Sequence, residues 1–160
     1  MSQAATRRLW LLITAIVVVD QLTKHWALNR LSGGRTIDIV GSLRFNLAFN
    51  KGMAFSQATG AGPVIGALAF VIIIVIVLWM RRSATGVAAV AAGLIVGGAL
   101  GNLIDRVFRN DAWLRGAVVD FIDLQWFPVF NVADSCITVG AVLMVLASLR
   151  NKPVAPPAGQ

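Results

Sequence analysis

Two aspartates, Asp120 and Asp134, have the residue type and the setting for joint acid–base chemistry. Asp120 lies in the segment VVDFID, and Asp134 lies in FNVADSC, directly before an uninterrupted apolar stretch. Two carboxylates that share a site cannot both ionise cheaply, so one keeps a proton near neutral pH. The ionised one can take a proton from water while the protonated one polarises a peptide carbonyl. Such a pair could cleave a peptide without a covalent enzyme intermediate.

Alternatives remain open for both acids. If VVDFID is a strand, residues three apart point to opposite faces, so Asp123 could face Asp134 in place of Asp120. Asp134 could instead cap the helix that follows it. Its position in the first turn favours its anionic form through the helix dipole, which would assign the shared proton to Asp120.

Serine chemistry is a weaker candidate. Neither Ser56 nor Ser135 has a His or Lys within its own motif, so a dyad with Lys24 or His25 would have to be assembled by the fold.

The single cysteine, Cys136, excludes an internal disulfide and a cysteine metal cluster. The HExxH motif of zinc proteases is absent as well. We expect no metal and no organic cofactor.

The rest of the chain predicts that these acids lie at a membrane. Only 13% of the 160 residues are charged and 58% are hydrophobic, whereas soluble domains have roughly 25% charged residues. A helix needs ~20 apolar residues to cross the bilayer. Four stretches meet this requirement: residues 9–28, 63–80, 86–108 and 131–149. We therefore predict a mainly α-helical polytopic protein in which residues 1–160 form a single membrane-embedded domain.

The charges predict the topology. The net charge is +7, but the basic residues form no stripe with interleaved aromatics, so we expect no nucleic-acid partner. The segments before span one, between spans two and three, and after span four are rich in arginine and lysine and contain no acid. The positive-inside rule then places both termini in the cytoplasm and the loops 29–62 and 109–130 outside. All seven acids are aspartates, and they lie on or toward that outer side.

The ends of the chain carry two further predictions. The first span has basic residues before an apolar core, as a signal peptide does. It lacks a small-residue cleavage site and contains Asp20 and Lys24, so we expect it to be retained. The tail, residues 151–160, is predicted to be disordered.

Two patterns indicate the elements that position the acids. Apolar and polar residues alternate from Leu43 to Asn50, which predicts a strand, and VVDFID is also strand-like. A small sheet on the outer leaflet would bring these segments together. Gly93, Gly97 and Gly101 recur every four residues in the third span and predict a close helix–helix contact. The second span contains nothing ionisable and is expected to face lipid.

Polar residues inside the spans form two groups. Asp20 and Lys24 are four residues apart with the acid first, the favourable order for a helical ion pair. Asn102, Asp105 and Arg106 share one helix face. This second group could pair structurally, or Arg106 could bind a carbonyl or phosphate oxygen.

Five segments in this order resemble the bacterial lipoprotein signal peptidase family, signal peptidase II. They are DQLTKHW from Asp20, NKGMAFS from Asn50, GGALGNLIDR from Gly97, VVDFID from Val118 and FNVADS from Phe130. The resemblance implies an inner-membrane aspartyl protease with four transmembrane helices and a small periplasmic β-cradle. It implies that the enzyme removes the signal peptide from prolipoproteins, cleaving just before a cysteine that carries diacylglycerol.

The resemblance also implies roles for individual residues. It makes Asp120 and Asp134 catalytic. It places substrate contacts at Asn50, Gly52, Asn102, Arg106 and Asn131. It gives supporting roles to Asp20, Lys24, Ala54, Phe55, Gly98, Asp105, Phe121 and Ala133.

The expected partners are diacylglyceryl prolipoproteins, membrane lipid and cyclic-peptide inhibitors of the globomycin type, bound by a monomer. The chain departs from the family at one place, because the connection between Arg106 and Asp120 is longer than usual and that between Asp123 and Asn131 is shorter.

Two other function classes are weighed against the protease. A small proton-coupled transporter or channel would spread its acids through the depth of the spans. A structural scaffold would leave the loop motifs unexplained.

Overall fold

The computed structural model describes residues 2–52, 62–83, 86–109, 114 and 116–150. Its helices are α1 (Gln3–Leu31), α2 (Gly62–Ser83), α3 (Gly86–Phe108) and α4 (Val132–Arg150). Its strands are β1 (Thr36–Val40), β2 (Leu43–Asn50) and β3 (Val118–Asp123). All four helices are long and apolar enough to cross a membrane. The predicted fold class, four membrane-capable helices with a small sheet, is confirmed.

The first helix is longer than the span of residues 9–28 expected from hydropathy. Its start is fixed by Ser2, whose Oγ accepts a hydrogen bond from Ala5 N at 3.2 Å and so satisfies a backbone donor of the first turn. After Leu31 the chain passes through Gly33 and Gly34, whose φ angles of 78° and 76° favour glycine and are incompatible with helix. The predicted tail, residues 151–160, lies outside the described residues.

Small residues let α3 contact its neighbours on two faces. A Cβ added at Gly93 would lie 2.7 Å from Leu9 Cδ1 of α1, and one at Gly97 would lie 3.0 Å from Ile16 Cβ. On another face, a Cβ at Gly98 would collide with the carbonyl oxygen of Ala133 in α4. The predicted close packing along the glycine repeat is therefore confirmed, and it positions both the α1 and the α4 side chains of the site.

The second helix packs against α3 and presents the rest of its surface outward. Apolar side chains such as Val64, Leu68 and Val71 are more than half exposed. Exposed aliphatic side chains of this kind are compatible with a lipid-facing helix, and the lipid contact expected of the second span stays a prediction.

The strands form one antiparallel sheet in the order β1–β2–β3. The alternation and β-branched content of the sequence predicted β2 and β3. The strand β1 was not predicted, although Ile37 and Ile39 alternate with polar residues in it; all five of its positions are exposed. It joins β2 through a two-residue turn at Gly41, whose φ of 55° suits glycine.

Three aromatic side chains attach the sheet to α1. The ring of Trp26 lies 5.2 Å from that of Phe45 and 6.1 Å from that of Phe121, with edge-to-face geometry in both pairs. Phe45 and Phe121 are 6.0 Å apart. Phe121 also packs against the fully buried Ala27 and Leu31. The sheet is thereby held on the end of the helical bundle at which Asp120 and Asp134 lie.

Candidate active site

Asp120 lies on β3, in register with Ala48 of β2. Asn50 pairs with Val118, so Asn50 and Asp120 are diagonal neighbours on the same face of the sheet. Only 2% of Asp120 is exposed. The sheet therefore holds a carboxyl group and a carboxamide side by side in a sheltered position.

The chain returns to β3 immediately before α4 begins. The carbonyl oxygen of Phe130 accepts hydrogen bonds from Phe121 N at 3.0 Å and Ile122 N at 2.8 Å, and Phe130 N donates to Ile122 O at 3.0 Å. This pairing fixes the position of the first residues of α4 relative to the strand that carries Asp120. Two acids 14 positions apart in sequence are thus brought to one place.

The start of α4 is a reciprocal cap between Asn131 and Asp134. Asn131 Oδ1 accepts from Asp134 N at 2.9 Å, while Asp134 Oδ2 accepts from Asn131 N at 3.2 Å. This is the capping-box arrangement, with Asn131 as the cap and Asp134 as the third helical residue. The capping alternative for Asp134 is therefore correct in part, but the principal cap is Asn131 and the other oxygen of Asp134 is used elsewhere.

Asn131 connects the two aspartates. Its Nδ2 donates to Asp120 Oδ1 at 2.7 Å, and the residue is fully buried. Its side-chain Oδ1 and its backbone N–H hold Asp134 through the cap. One asparagine side chain thus fixes the position of Asp120 relative to Asp134.

The environment of Asp120 raises the pKa of its carboxyl group toward neutral pH. Burial and, next to it, the nearby charge of Asp134 raise the pKa of Asp120 to about 7, against the hydrogen bonds of Asn131 and Asn50 and the charge of Lys24.

Asn102 holds the remaining oxygen of Asp134. Its Nδ2 donates to Asp134 Oδ1 at 2.7 Å, and its Oδ1 accepts from Lys24 Nζ at 2.9 Å and from Asn131 Nδ2 at 3.1 Å. Because a lysine ammonium can only donate, it fixes which end of the Asn102 amide faces it. The NH₂ group is consequently directed at Asp134.

A buried ionic group lies behind these asparagines. Lys24 Nζ is 2.9 Å from Asp20 Oδ2 and 2.9 Å from Asp105 Oδ2, and all three side chains are fully buried. The predicted Asp20–Lys24 pair is confirmed as a contact. Arg109 Nε is 2.6 Å from Asp105 Oδ1, so two cations face two anions. The Gln21 side chain also donates to Asp20 Oδ2 at 3.2 Å and to Asp105 Oδ1 at 3.2 Å.

Asp123 is engaged away from Asp134. Its carboxylate accepts hydrogen bonds from Arg44 Nε at 2.8 Å, Asn46 Nδ2 at 3.2 Å and Gln125 N at 2.7 Å. The Arg44 hydrogen bond lowers the pKa of Asp123, with Gln125 N and Asn46 adding to the effect. Of the two strand acids that the sequence left open, Asp120 is therefore the one next to Asn131 and Asp134.

Two cavities adjoin Asp134, and Asn50 also lines both of them. One, of about 230 Å³, is further lined by Ile65, Ala69, Ala99, Asn102, Leu103, Arg106, Val118 and Ile137. The other, of about 600 Å³, is further lined by Leu124, Trp126, Phe127, Pro128, Val129, Phe130, Ser135, Thr138 and Val139. Within the described part of the chain, Arg106 Nη1 is buried without a hydrogen-bond partner.

A family model described as signal peptidase (SPase) II matches residues 12–150. The chain belongs to the signal peptidase II family. As a member of a peptidase family it is a peptidase, which removes the transporter and scaffold alternatives.

Relatives and solved structures agree with this membership. The lipoprotein signal peptidase of Mycobacterium leprae is 45% identical over 148 residues, which are 89% of this chain and 73% of the relative. That of Mycobacterium tuberculosis is 43% identical over 151 residues, 91% of this chain and 74% of the relative. A bacterial membrane enzyme structure at 2.3 Å resolution superposes with a TM-score of 0.82 at 29% identity, covering 96% of this chain and 94% of the other. A second, at 1.9 Å, gives 0.79 at 31% identity, covering 91% and 94%.

The other residues expected from the signal peptidase II resemblance are distributed around this centre. Gly52 N donates to Asn50 Oδ1 at 2.9 Å, with a φ of 94°. Gly98 and Ala133 form the close α3–α4 contact, and Phe121 belongs to the aromatic group beneath the sheet. Ala54 and Phe55 lie outside the described residues, as does Ser56.

The serine alternative has no geometric support among the residues described. Ser135 Oγ donates to Asn131 O at 3.0 Å, and Lys24 is committed to Asp20, Asp105 and Asn102. Across the described ranges, no group of three or more His, Cys, Asp or Glu side chains could hold a metal ion.

Two polar residues beside this site, Arg109 and Gln21, were not predicted from the sequence. Arg109 follows Asp105 by four positions, the same acid-then-base spacing that revealed Asp20 and Lys24, so the signal was available. Gln21 carried no such signal, because a single polar residue beside an acid has many possible partners.

Proposed function

We propose that the protein is an aspartyl endopeptidase that removes the signal peptide from diacylglyceryl-modified prolipoproteins and cleaves before the lipidated cysteine. The observation that carries the proposal is the pair of aspartates, Asp120 and Asp134, hydrogen-bonded to the same buried asparagine at the start of a membrane-capable helix. The relatives' name, lipoprotein signal peptidase, supports the substrate class.

The mechanism needs one proton on the pair. Asp134 takes a proton from a water molecule as the water oxygen attacks the scissile carbonyl carbon, and Asp120 gives its proton to the carbonyl oxygen. The tetrahedral intermediate then collapses. The proton held by Asp134 passes to the leaving nitrogen as the C–N bond breaks, and a hydroxyl of the intermediate returns its proton to Asp120 as the product carbonyl forms. The products are a signal peptide with a free carboxylate and a lipoprotein with a free amine on its cysteine.

The asparagines position the reacting groups. Asn102 and Asn131 each donate a hydrogen bond to one oxygen of the Asp134 carboxylate. These two bonds fix the orientation in which the carboxylate accepts a proton from water. Asn131 also holds Asp120 Oδ1 at 2.7 Å. Asn50 lies on the same face of the sheet as Asp120, and Gly52 adjoins Asn50; these two residues bind the substrate backbone. Arg106, with its unpartnered Nη1, donates to a substrate carbonyl.

The cavity of about 600 Å³ suits a lipidated substrate. Its walls include Trp126, which is 74% exposed, and Phe127, which is 52% exposed. It adjoins Asp134 and Thr138 on α4, so acyl chains or an apolar leader could remain in a lipid-like environment while the peptide bond reaches the acids.

The proposed location is the bacterial inner membrane. The even number of membrane-capable helices supports termini on the same side, and the arginine-rich, acid-free segments support the cytoplasm as that side. The sheet and the two aspartates then face the periplasm. We propose a monomer that requires no cofactor and binds cyclic peptides of the globomycin type in the same site.

The deciding experiment supplies a diacylglyceryl prolipoprotein to purified Asp120→Asn and Asp134→Asn enzymes in detergent. Each variant is expected to unfold at a temperature close to that of the unsubstituted enzyme yet release no signal peptide. Asp123→Asn is the matched control, because that carboxylate is bound to Arg44, and it should keep substantial activity. Cleavage at near the original rate by either dyad variant would refute the aspartyl mechanism. Equal cleavage of a prolipoprotein lacking diacylglycerol would refute the substrate class.

A further inference from the structure

The residue before each catalytic aspartate donates its backbone amide to a buried carboxylate. Val119 N, next to Asp120, donates to Asp105 Oδ2 at 3.1 Å. Ala133 N, next to Asp134, donates to Asp20 Oδ1 at 3.0 Å. The same local arrangement thus occurs once on the strand and once on the helix.

Secondary structure leaves both amides without a partner of its own. β3 is the edge strand of the sheet, so the N–H groups on its outer side have no neighbouring strand. Ala133 is the second residue of α4, and the first amides of a helix have no intrahelical acceptor. Asp105 and Asp20 therefore supply acceptors that the fold requires at these two positions.

Lys24 joins the two acceptors. Its Nζ lies 2.9 Å from Asp20 Oδ2 and 2.9 Å from Asp105 Oδ2. Its third proton is donated to Asn102 Oδ1, also at 2.9 Å. An ammonium group has three protons, and all three are used. Because Asp20, Lys24 and Asp105 are fully buried, water has no ready access to replace any of these contacts.

We propose that Asp20, Lys24 and Asp105 form a clamp that sets the distance between Asp120 and Asp134. The chain of contacts runs from Val119 through Asp105, Lys24 and Asp20 to Ala133, and every link is a charge-assisted hydrogen bond or an ion pair. The three are positioning residues, since the contacts described for them reach the dyad only through backbone amides and Asn102. The inference rests on the proposed aspartyl mechanism.

The distance between the acids matters because both must reach one water and one carbonyl. A displacement of about 1 Å at a reacting group can reduce the rate by about 100-fold. If the three residues served only to stabilise the bundle, their loss would lower the amount of folded enzyme. It would not change the turnover of the enzyme that remains folded.

The test compares Asp20→Ala with Asp20→Asn, measuring kcat and KM per folded molecule, with unfolding temperature recorded in parallel. Asn retains an oxygen that can accept from Ala133 N, whereas Ala does not. We expect kcat to fall about 100-fold in Asp20→Ala and about 10-fold in Asp20→Asn. KM should stay within about threefold, because the substrate contacts are not part of the clamp.

Arg44→Gln is the matched control. It removes another ion pair near the site, that with Asp123, but the described contacts of Arg44 include none with the residues of the clamp. We expect a lower unfolding temperature with an unchanged kcat. If Asp20→Ala does not fold, Asp20→Asn and Asp105→Asn decide the matter, and both should show the selective loss of kcat.

An unchanged kcat in the folded Asp20 variants, or equal losses in Asp20→Ala and Asp20→Asn, would overturn the clamp. Failure of the aspartyl mechanism would be recognised separately, because Asp120→Asn and Asp134→Asn would then still cleave. Inactive dyad variants together with a fully active Asp20→Ala would refute the clamp alone.

Discussion

Asn131 Nδ2 donates a hydrogen bond to Asp120 Oδ1 at 2.7 Å. The same side chain caps α4 by accepting from the backbone amide of Asp134 at 2.9 Å. A residue that would ordinarily serve as a helix cap is therefore also the connection between two acids on different elements. The two roles can be separated, because a cap needs only an acceptor whereas the contact with Asp120 needs a donor that reaches across to β3.

Asn131→Ser is expected to separate these roles. Serine is a good helix cap, but its hydroxyl is too short to reach Asp120, so α4 should form while the hold on Asp120 is lost. We expect kcat to fall about 100-fold with little change in unfolding temperature. Ser2→Ala, which removes the cap of α1 far from the aspartates, should lower stability by about 1 kcal/mol and leave kcat unchanged. A kcat within threefold of the original for Asn131→Ser would contradict the bridging role.

The pH dependence of cleavage follows from the raised pKa of Asp120, about 7. The proposed acid must be protonated, so kcat/KM should fall about tenfold per pH unit once the pH exceeds about 7. Folding stability changes with pH in the same direction as the rate. The native state keeps the Asp120 proton up to about pH 7, whereas the unfolded chain loses it near the ordinary pKa of 3.8. Stability should therefore decrease as the pH rises between these values.

Rates measured from pH 5 to 9 in one detergent check this expectation. Asp123→Asn should show the same alkaline limb, because the pKa of Asp123 is lowered by Arg44 and its titration lies outside this range. A rate that stays constant between pH 6 and 9 would show that no group near neutrality controls the reaction.

Gly98→Ala should disturb the dyad through the backbone. The new Cβ would collide with the Ala133 carbonyl oxygen and lie 2.8 Å from Ile137 Cγ1, so the start of α4 must move away from α3. Overpacking of this kind costs about 1–3 kcal/mol. Because Asp134 is the next residue, cleavage should fall together with the unfolding temperature.

Gly93→Ala provides the comparison on the same helix. Its Cβ would lie 2.7 Å from Leu9 Cδ1, the free end of a flexible side chain that can change rotamer. We expect a smaller loss of stability and nearly unchanged cleavage. Equal losses of activity at the two glycines would mean that the α3–α4 contact has no special relation to the aspartates.

The sequence predicted those features that leave a periodic or compositional signal. Four apolar stretches of the right length gave the helices, and alternation gave β2. The i,i+4 spacing predicted the Asp20–Lys24 pair, and the glycine repeat predicted that another helix packs closely on α3, without indicating which one. Each of these depends on residues close together in the chain, so no tertiary information was needed.

The remaining features depend on contacts between distant segments. Nothing local to Asn131 indicates that its amide reaches Asp120, and nothing local to Asp105 indicates that it accepts from Val119 N. Strand alternation left Asp120 and Asp123 as equal candidates. The tertiary contacts distinguish the two acids, because Arg44 and Asn46 on β2 bind Asp123 whereas Asn131 binds Asp120.

The spacing of Asp20 and Lys24 on one helical turn also bears on how the protein is made. An unpaired charge in the middle of a membrane helix costs about 2.5–3.5 kcal/mol on insertion. The first helix leaves the ribosome before Asp105 has been synthesised, yet it already carries its own counter-ion at 2.9 Å. It can enter the bilayer as a nearly neutral segment. When α3 is inserted later, Asp105 joins an Asp20–Lys24 ion pair that has already formed.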